Sequence, residues 1–247
     1  MNFQKKIVKK SYNFIAKDWN ETRKNLHWEE FDFFYEKFPF GKNDKILDLG
    51  CGTGRLFDFF ESKGLKSENY IGCDFSEKMT EEARKNYPQN KYFVWDVSEK
   101  SPPGAIGGFH QIWCIAMFHH LSSKKQRIQA IRNFHKILNK NGKIFLTVWN
   151  FYQNEFVEIE KDGEKILKKN RLYQKFKKIL RKSFWRSIFS LGFFSKKDCF
   201  FYWRDSDVLR YYYAFEKNEI KKLFEENGFS VKFFDEGKNF SLILEKK

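Results

Sequence analysis

Residues 46–54 read Ile-Leu-Asp-Leu-Gly-Cys-Gly-Thr-Gly, a short apolar run that ends in alternating glycines. A helical pattern follows directly. An apolar strand that leads through glycines into a helix is typical of a cofactor loop, because glycines make the turn tight and let a ligand approach bare backbone. The next strand-like run ends at Asp74, where a carboxylate can accept hydrogen bonds from both hydroxyls of a ribose.

The glycine spacing separates two kinds of cofactor loop. Dinucleotide-binding loops follow G-x-G-x-x-G, whereas Gly50, Gly52 and Gly54 follow G-x-G-x-G. The preceding Asp48 repels a pyrophosphate and attracts a cationic or amine-bearing cofactor. Residues 48–54 closely resemble motif I of class I S-adenosylmethionine (SAM) methyltransferases. The alternatives are a structural glycine turn and an NAD site with altered spacing.

Strand and helix patterns alternate along most of the chain. Strand-like runs lie at 45–49, 70–74, 91–96, 111–117 and 143–149, and helical stretches lie near 54–63, 76–86 and 123–139. We expect Asn141-Gly142 to end the last of these helices. After a short helix near 217, runs 229–234 and 240–245 have the spacing of an antiparallel hairpin. The prediction is an α/β fold: a doubly wound, mostly parallel, seven-stranded Rossmann-like sheet with an antiparallel C-terminal hairpin.

Four regions are expected from these patterns: an N-terminal helical cap (1–40), a SAM-binding core (41–150), a basic, aromatic-rich insertion or lid (151–210) and the C-terminal part of the core sheet (211–247). The chain's net charge of +15 is concentrated in the insertion, where residues 161–204 hold 14 Lys or Arg and 3 acids. Apolar residues from Leu172 to Phe184 follow helical spacing, so we expect a largely helical insertion, with a basic amphipathic helix at about 165–190.

Composition narrows the class of protein further. Hydrophobic residues make up 41% of 247 residues, enough for a full core. The four cysteines have no metal-ligand spacing, and a disulfide framework is not expected, so we predict a reducing, cytoplasmic location and no metal. No apolar run approaches the roughly 20 residues of a membrane span, and the N-terminus lacks the apolar region of a signal peptide.

The resemblance to class I methyltransferases implies a set of cofactor-binding positions. Asp48 would lie near the amino-acid end of SAM, and Gly50 and Gly52 would let SAM lie against backbone. Asp74 would bind the ribose, with Phe75 next to it, whereas Asp96 and Val97, ending the third strand, would contact the adenine. Ile115, late in the fourth strand, would form the floor.

A second resemblance lies upstream. Tyr12-Asn13-Phe14-Ile15-Ala16, followed by Trp19 and Thr22-Arg23, is similar to the opening of small-molecule and tRNA methyltransferases. It implies that Tyr12 covers the cofactor and that Arg23 pairs with the SAM carboxylate. The alternative is a solvated arginine on an amphipathic helix.

Two further motifs narrow the family. His119 and His120 follow strand four, where a histidine is either a general base or a structural loop residue. With Arg210-Tyr211-Tyr212-Tyr213-Ala214-Phe215, the combination looks like the tRNA wobble-uridine carboxymethyl methyltransferases. That family methylates the carboxylate of a 5-carboxymethyluridine, which implies an arginine, Arg210 or Arg204, that holds the acceptor carboxylate. Residues 110–111 depart from the family pattern, and 151–204 show no match.

The resemblance makes tRNA the expected partner and leaves a small activating protein open. In this hypothesis the insertion binds phosphates, through Lys168, Lys169, Arg171, Lys175, Lys178, Arg181 and Lys182. The main alternative is a small-molecule or lipid-precursor methyltransferase, with the insertion as a lid or membrane-surface element. A non-catalytic adaptor is the third.

Overall fold

The structure is a computed structural model that describes residues 1–23, 28–99, 101–104, 106–152, 195–204 and 206–247, together with the backbone of 156–161 and 164–169. Eleven strands lie within these residues: β1 (Ile46–Leu49), β2 (Tyr70–Asp74), β3 (Lys91–Val94), β4 (Phe109–Ile115), β5 (Leu138–Trp149), β6 (Phe156–Lys161), β7 (Glu164–Lys169), β8 (Asp198–Tyr202), β9 (Leu209–Tyr213), β10 (Phe229–Glu236) and β11 (Asn239–Lys246).

Seven of these strands form one sheet in the order β10-β11-β5-β4-β1-β2-β3. β1 to β5 run parallel, and Ile46 pairs with both Tyr70 and Gln111, so the carboxyl ends of β1, β2 and β4 meet at one edge. β11 is antiparallel to both β5 and β10, which places β11 inside the sheet and β10 at its border. The predicted α/β fold with its C-terminal hairpin is confirmed.

Six helices are described: α1 (Phe3–Arg23), α2 (Glu29–Lys37), α3 (Leu56–Ser62), α4 (Glu77–Asn86), α5 (Lys124–Ile137) and α6 (Lys217–Glu225). Ser123 and Gln126 cap the start of α5 reciprocally. The expectation that Asn141-Gly142 ends this helix is wrong. The helix ends at Ile137, because Leu138 is extended and already pairs with Phe109 of β4.

Apolar side chains cover both faces of the sheet. On one face, Ile131 and Phe134 of α5 pack with Phe224 of α6 and the strands. The other face holds a largely aromatic cluster in which Trp113 stacks on Phe145 at 4.7 Å between ring centres. Since burial of one such side chain stabilises the fold by about 1.5–3 kcal/mol, this packing fixes the sheet and the strand ends that form the site.

The insertion differs from its prediction where it is described. β6 and β7 form an antiparallel hairpin in which Ile159 pairs with Ile166, so residues 165–169 are a strand and the expected helix start is wrong. The sequence carried a signal for this, because Asp162-Gly163 is a typical hairpin turn between segments with Val157, Ile159 and Ile166. Arg171, Lys175, Lys178, Arg181 and Lys182, like the side chains of Lys168 and Lys169, lie outside the described residues.

β8 and β9 form a second, separate hairpin, which packs against α1. Its strands share no hydrogen-bonded ladder with the seven-stranded sheet. None of the helices in the described part of the chain has the length and apolarity to cross a membrane.

Candidate functional site

A cavity of about 1050 Å³ lies beyond the carboxyl ends of β1, β2 and β4. Ligands of open α/β sheets bind at this edge. The structure brings every predicted cofactor residue to the wall of this cavity: Tyr12, Arg23, Asp48, Gly50, Gly52, Asp74, Phe75, Asp96, Val97 and Ile115.

The glycine loop presents bare backbone to the cavity. Gly50 has φ +81°, and a Cβ there would lie 2.6 Å from Cβ of Met117, so a side chain has neither the conformation nor the room. The amides of Gly50 and Cys51 both donate to the carbonyl of Cys73, at 2.7 and 3.0 Å. The loop is therefore bound to the end of β2, and Gly50 and Gly52 line the cavity with backbone.

Asp74 is bound by backbone donors from both sides. The amide of Gly52 donates to Oδ2 at 2.9 Å, and the amide of Ser76 donates to Oδ1 at 2.8 Å. Burial nevertheless raises the pKa of this carboxyl to about 6. Each oxygen keeps acceptor capacity, which suits the hydroxyls of a ribose.

Asp48 lies deeper in the wall and is fully buried. The phenol of Tyr70 donates to its Oδ2 at 2.8 Å, and burial raises the pKa of Asp48 to about 7. The nearby Arg55 favours its ionised form, and the Arg55 guanidinium lies 5.0 Å from the Trp28 ring centre. Sequence analysis missed Arg55, although a basic residue directly after the glycine loop was a readable signal.

Asp96 lies two residues beyond β3, which ends at Val94, so the expectation that it ends the strand is corrected. Its Oδ1 accepts from the amide and hydroxyl of Ser98, at 2.9 and 2.6 Å, and Lys5 of α1 forms an ion pair with its other oxygen. Val97 is buried next to it. These contacts place a carboxylate and an apolar surface at the far end of the cavity.

His120 is held as a neutral ring. Because a carbonyl can only accept, Nδ1 carries the proton and donates to the backbone oxygen of Tyr211 at 2.7 Å. Nε2 then accepts from the phenol of Tyr12 at 2.9 Å. Burial lowers the pKa of His120 to about 3, so the ring stays neutral at physiological pH.

His119 is also neutral, with the opposite tautomer. Its Nδ1 accepts from the amide of Trp149 at 3.2 Å, which places the proton on Nε2. Burial lowers the pKa of His119 well below its usual range, and Nε2 is buried without a hydrogen-bond partner. The lone pair that a general base needs is already used, so the geometry suits a hydrogen-bond donor and not the base considered from the sequence.

Arg210 lies beside His119 and is 8% exposed. Its guanidinium carbon lies 4.7 Å from the ring centre of Trp203 and 5.3 Å from that of Tyr212, and no carboxylate of the described residues pairs with it. Nε of Arg210 and the phenol of Tyr212 are both buried without a hydrogen bond of normal geometry, and the Tyr12 phenol is the polar side chain that interacts with both. Sequence analysis missed Tyr212 as a site residue, although strand periodicity places residues 210 and 212 on one face.

Arg204, the other arginine considered for the acceptor, lies outside this wall. Its side chain is half exposed, and it pairs with Asp18 at 3.3 Å. Arg210 is therefore the arginine that the structure places with His119 and Tyr212. Among the described residues, no cluster of His, Cys, Asp and Glu side chains could hold a metal ion.

Comparison with protein families shows what this architecture corresponds to. Residues 46–142, which contain the glycine loop, Asp74 and Asp96, match the family described as a methyltransferase domain. This chain carries a class I SAM-dependent methyltransferase domain. The positive φ angles of Gly50 and Gly52 and the carboxylates along the cavity wall fit SAM as its cofactor.

The curated relatives of the methyltransferase domain include proteins that act on tRNA. The tRNA (carboxymethyluridine(34)-5-O)-methyltransferase alkbh8 of Xenopus tropicalis is 29% identical over 171 residues, which cover 69% of this chain and 25% of that protein. The tRNA (carboxymethyluridine(34)-5-O)-methyltransferase of Arabidopsis thaliana is 30% identical over 158 residues, or 62% of this chain and 35% of that one. The chain spans about a quarter of the length of the first relatives that it matches.

Solved structures support the same fold. A SAM-dependent methyltransferase of Methanosarcina mazei has a TM-score of 0.66 at 16% identity and covers 90% of this chain and 99% of its own. A methyltransferase in complex with the Trm112 methyltransferase activator of Haloferax volcanii has a TM-score of 0.61 at 13% identity, covering 95% and 97%. At these identities the likeness establishes the fold alone.

Proposed function

We propose that this methyltransferase domain transfers the methyl group of SAM to the carboxylate of a carboxymethyl group on a tRNA wobble uridine. The observation that carries the proposal is the cluster of His119, Arg210 and Tyr212, called here the acceptor wall. Each contributes a buried polar atom without a hydrogen-bond partner. Unpaired buried donors are costly, so three in neighbouring residues support a site that an anionic ligand completes.

The proposed methyl transfer needs few catalytic groups from the protein. When bound, SAM supplies a methyl group on a positively charged sulfur. An acceptor carboxylate is already ionised at pH 7, so no base is needed, which agrees with the neutral His119. Arg210 pairs with the carboxylate, while His119 and Tyr212 donate to it. The product is a methyl ester, and the carboxylate loses its charge.

Neighbouring aromatic rings align the acceptor and exclude water. Tyr212 stacks on Trp149, with 4.5 Å between ring centres and 15° between planes, and Phe151 and Phe201 close the apolar side behind them. Alignment together with exclusion of water accounts for most of what a methyl transfer between charged groups requires.

The cofactor residues other than Arg23 take the roles that the resemblance implies. In this proposal Asp74 and Phe75 surround the ribose, Asp96 and Val97 contact the adenine, and Ile115 forms the floor. Gly50 and Gly52 lie along the amino-acid part of SAM, near Asp48, and Tyr12 covers it. We also propose a cytoplasmic location, which four free, buried cysteines support, and a small activating protein as partner, which the complex from Haloferax volcanii supports.

The test is transfer of tritiated methyl from SAM to total RNA of the host, beside a lipid extract and a metabolite extract. We expect label in the tRNA band that mild alkali releases, because methyl esters hydrolyse readily. Alkali-stable label in tRNA would move the acceptor to a base or ribose atom. Label in the lipid or metabolite fraction, with none in RNA, would favour the small-molecule or lipid-precursor alternative and contradict the tRNA proposal.

A matched pair of variants tests in the same assay whether Arg210 of the acceptor wall is needed for methyl transfer. Arg210→Gln removes the buried guanidinium, and we expect transfer to fall at least a hundredfold while SAM binding is kept. Arg132→Gln makes the same change on an exposed residue of α5 and should leave transfer unchanged. Equal activity of both variants would remove Arg210 from the proposal.

A further inference from the structure

Three arginines surround one buried indole beside the cavity. The guanidinium carbons of Arg23, Arg204 and Arg210 lie 5.3, 5.4 and 4.7 Å from the ring centre of Trp203, which is 5% exposed. Arg23 also stacks on Trp19, at 5.0 Å. Trp203 and the three arginines around it, Arg23, Arg204 and Arg210, are called here the Trp203 cluster. Since all three cations share one ring, they are close enough together to bind neighbouring charges of a single ligand.

The cluster carries more positive charge than its surroundings neutralise. Asp18 pairs with Arg204 at 3.3 Å and accepts from Nε1 of Trp203 at 2.5 Å. No carboxylate in the described part of the chain forms an ion pair with Arg23 or Arg210. Burial and the nearby Arg204 and Arg210 lower the pKa of Arg23, which reports like-charge repulsion within the cluster.

Position distinguishes the members of the cluster. Arg210 is buried in the acceptor wall, Arg23 lines the cavity, and the Arg204 side chain is half exposed. The cations therefore lead from the methyl-acceptor position outwards to solvent. Arg204 also has φ +48°, a left-handed conformation that is costly for any residue with a Cβ and is often kept at ligand sites.

We propose that Arg23 and Arg204 form an anion subsite for a backbone phosphate of the RNA that presents the methyl acceptor. The inference rests on the proposed function and adds a second anchor to it: Arg210 takes the carboxylate, and Arg23 with Arg204 takes a phosphate next to it. Guanidinium groups bind phosphate oxygens through paired hydrogen bonds. Arg23 is thereby assigned to the acceptor and not to the SAM carboxylate that the resemblance implies.

The electrostatic neighbours of Arg23 support this assignment. The charges close to Arg23 are those of Arg204, Arg210 and Asp18, beside the β8–β9 hairpin, and that of Arg55, after the glycine loop. Asp48, near the amino-acid end of the cofactor position, is instead coupled to Arg55. The ring contacts with Trp19 and Trp203, rather than charge alone, place Arg23 beside the β8–β9 hairpin.

Salt-dependent RNA binding tests the subsite. The probe is a short fluorescent stem-loop RNA with an unmodified uridine in its loop, titrated at several salt concentrations against the full chain and the variant Arg23→Gln/Arg204→Gln. Each phosphate contact contributes about 0.7 to the slope of log K against log salt for single-stranded RNA. We expect the double variant to bind at least tenfold more weakly at low salt and, because one phosphate contact is lost, to lose about 0.7 units of slope.

The control is Lys37→Gln/Lys140→Gln, which removes two exposed cations at the opposite end of the strands. It should keep both the affinity and the slope. Calorimetric titration with SAM completes the design, and we expect the affinity of Arg23→Gln/Arg204→Gln for SAM to stay within about twofold, because neither residue is assigned to the cofactor.

The outcomes separate the subsite from the proposed function. Unchanged RNA affinity and slope in Arg23→Gln/Arg204→Gln would overturn the subsite, and lost SAM binding would return Arg23 to the cofactor. Binding of anionic phosphatidylserine vesicles that the variant abolishes, without RNA binding by the wild type, would also overturn it. In that last case, transfer of methyl to a small carboxylate would still leave the acceptor wall intact.

Discussion

The phenol of Tyr12 donates a hydrogen bond to Nε2 of His120 at 2.9 Å, across 108 positions of sequence. His120 in turn donates to the carbonyl of Tyr211. This chain of hydrogen bonds links α1, whose Tyr12 lines the cavity, to β9, which carries Arg210 and Tyr212. The neutral imidazole of His120 therefore connects α1 to β9 at the wall of the cavity.

Replacement of that imidazole gives a stability defect whose pH dependence has a defined sign. His120→Gln leaves the Tyr12 phenol and the Tyr211 carbonyl with poorer partners, and we expect a loss of about 1–3 kcal/mol in unfolding free energy at pH 8. The folded state holds His120 neutral, with its pKa lowered to about 3, whereas the unfolded ring takes up a proton near pH 6.5.

Acid therefore destabilises the wild type, because His120 takes up a proton when the chain unfolds. His120→Gln has no ring at this position to take up a proton. The stability difference between them should shrink by up to about 2 kcal/mol as pH falls from 7 to 5. Urea denaturation at several pH values measures it. His110→Gln, which replaces a half-exposed ring, controls for loss of a histidine. A difference that grows in acid would show that His120 is protonated in the folded protein.

Removal of a single hydroxyl tests the acceptor wall more finely. Tyr212→Phe keeps the stack on Trp149 and loses one donor to the acceptor carboxylate. A hydrogen bond to a charged group is worth about 1.5–3 kcal/mol, so kcat/KM for the acceptor should fall roughly 10- to 100-fold. Tyr213→Phe is the matched control, because its hydroxyl donates to Glu219. Equal kcat/KM for both variants would remove the Tyr212 hydroxyl from the acceptor wall.

Cofactor binding should depend on pH through two buried carboxyls. Burial raises the pKa of Asp48 to about 7 and that of Asp74 to about 6. SAM carries a net positive charge and favours the ionised form of both, so protons must leave on binding at low pH. Affinity should rise from pH 5.5 to 7, by up to about tenfold per unit for each group, and level off near pH 8.

Calorimetry in buffers of different ionisation enthalpy measures both the affinity and the protons released. Asp48→Asn should flatten the upper part of the profile, whereas Asp207→Asn, an exposed substitution of the same kind, should not. Affinity that is independent of pH in the wild type would mean that both carboxyls are already ionised without the cofactor.

Gly50 and Gly64 have almost the same φ, so an alanine substitution at each one distinguishes backbone strain from steric overlap. Gly50 has φ +81° and Gly64 has φ +86°, but only at Gly50 would a Cβ overlap Met117. Gly64→Ala should cost about 1 kcal/mol of stability from backbone strain alone. Gly50→Ala should cost about 1–3 kcal/mol more and weaken SAM binding at least tenfold. If the two variants unfold at the same urea concentration and bind SAM equally, the close approach at Gly50 has no role.

The parts of the site that the sequence predicted are those set by local chain geometry. The glycine loop, Asp74 and Asp96 follow strands, and parallel strands bring their carboxyl ends to one edge, so their meeting could be derived in advance. The states of His119 and His120 could not. They depend on the amide of Trp149, the carbonyl of Tyr211 and the phenol of Tyr12, which come from distant parts of the chain.

In the insertion, by contrast, the sequence analysis predicted the wrong local structure. Its charge favoured a basic helix, yet residues 156–161 and 164–169 form strands, in which Val157, Ile159 and Ile166 lie among charged residues. Arg210 and Arg204 were both predicted for the acceptor, but their meeting around Trp203 depends on the β8–β9 hairpin, in which Tyr202 and Leu209 pair across six intervening residues.

The β8–β9 hairpin shares no hydrogen-bonded ladder with the seven-stranded sheet, and it contacts the core through side chains and through the Tyr211 carbonyl, which accepts from His120. In the proposed function, Arg210 and Tyr212 of the acceptor wall are thus carried by a segment that can change with no change in the register of the seven-stranded sheet. Such separation lets selection alter what is methylated while the means of holding the methyl donor stays the same. Grafting of this hairpin between related domains is accordingly a direct route to new acceptor specificity.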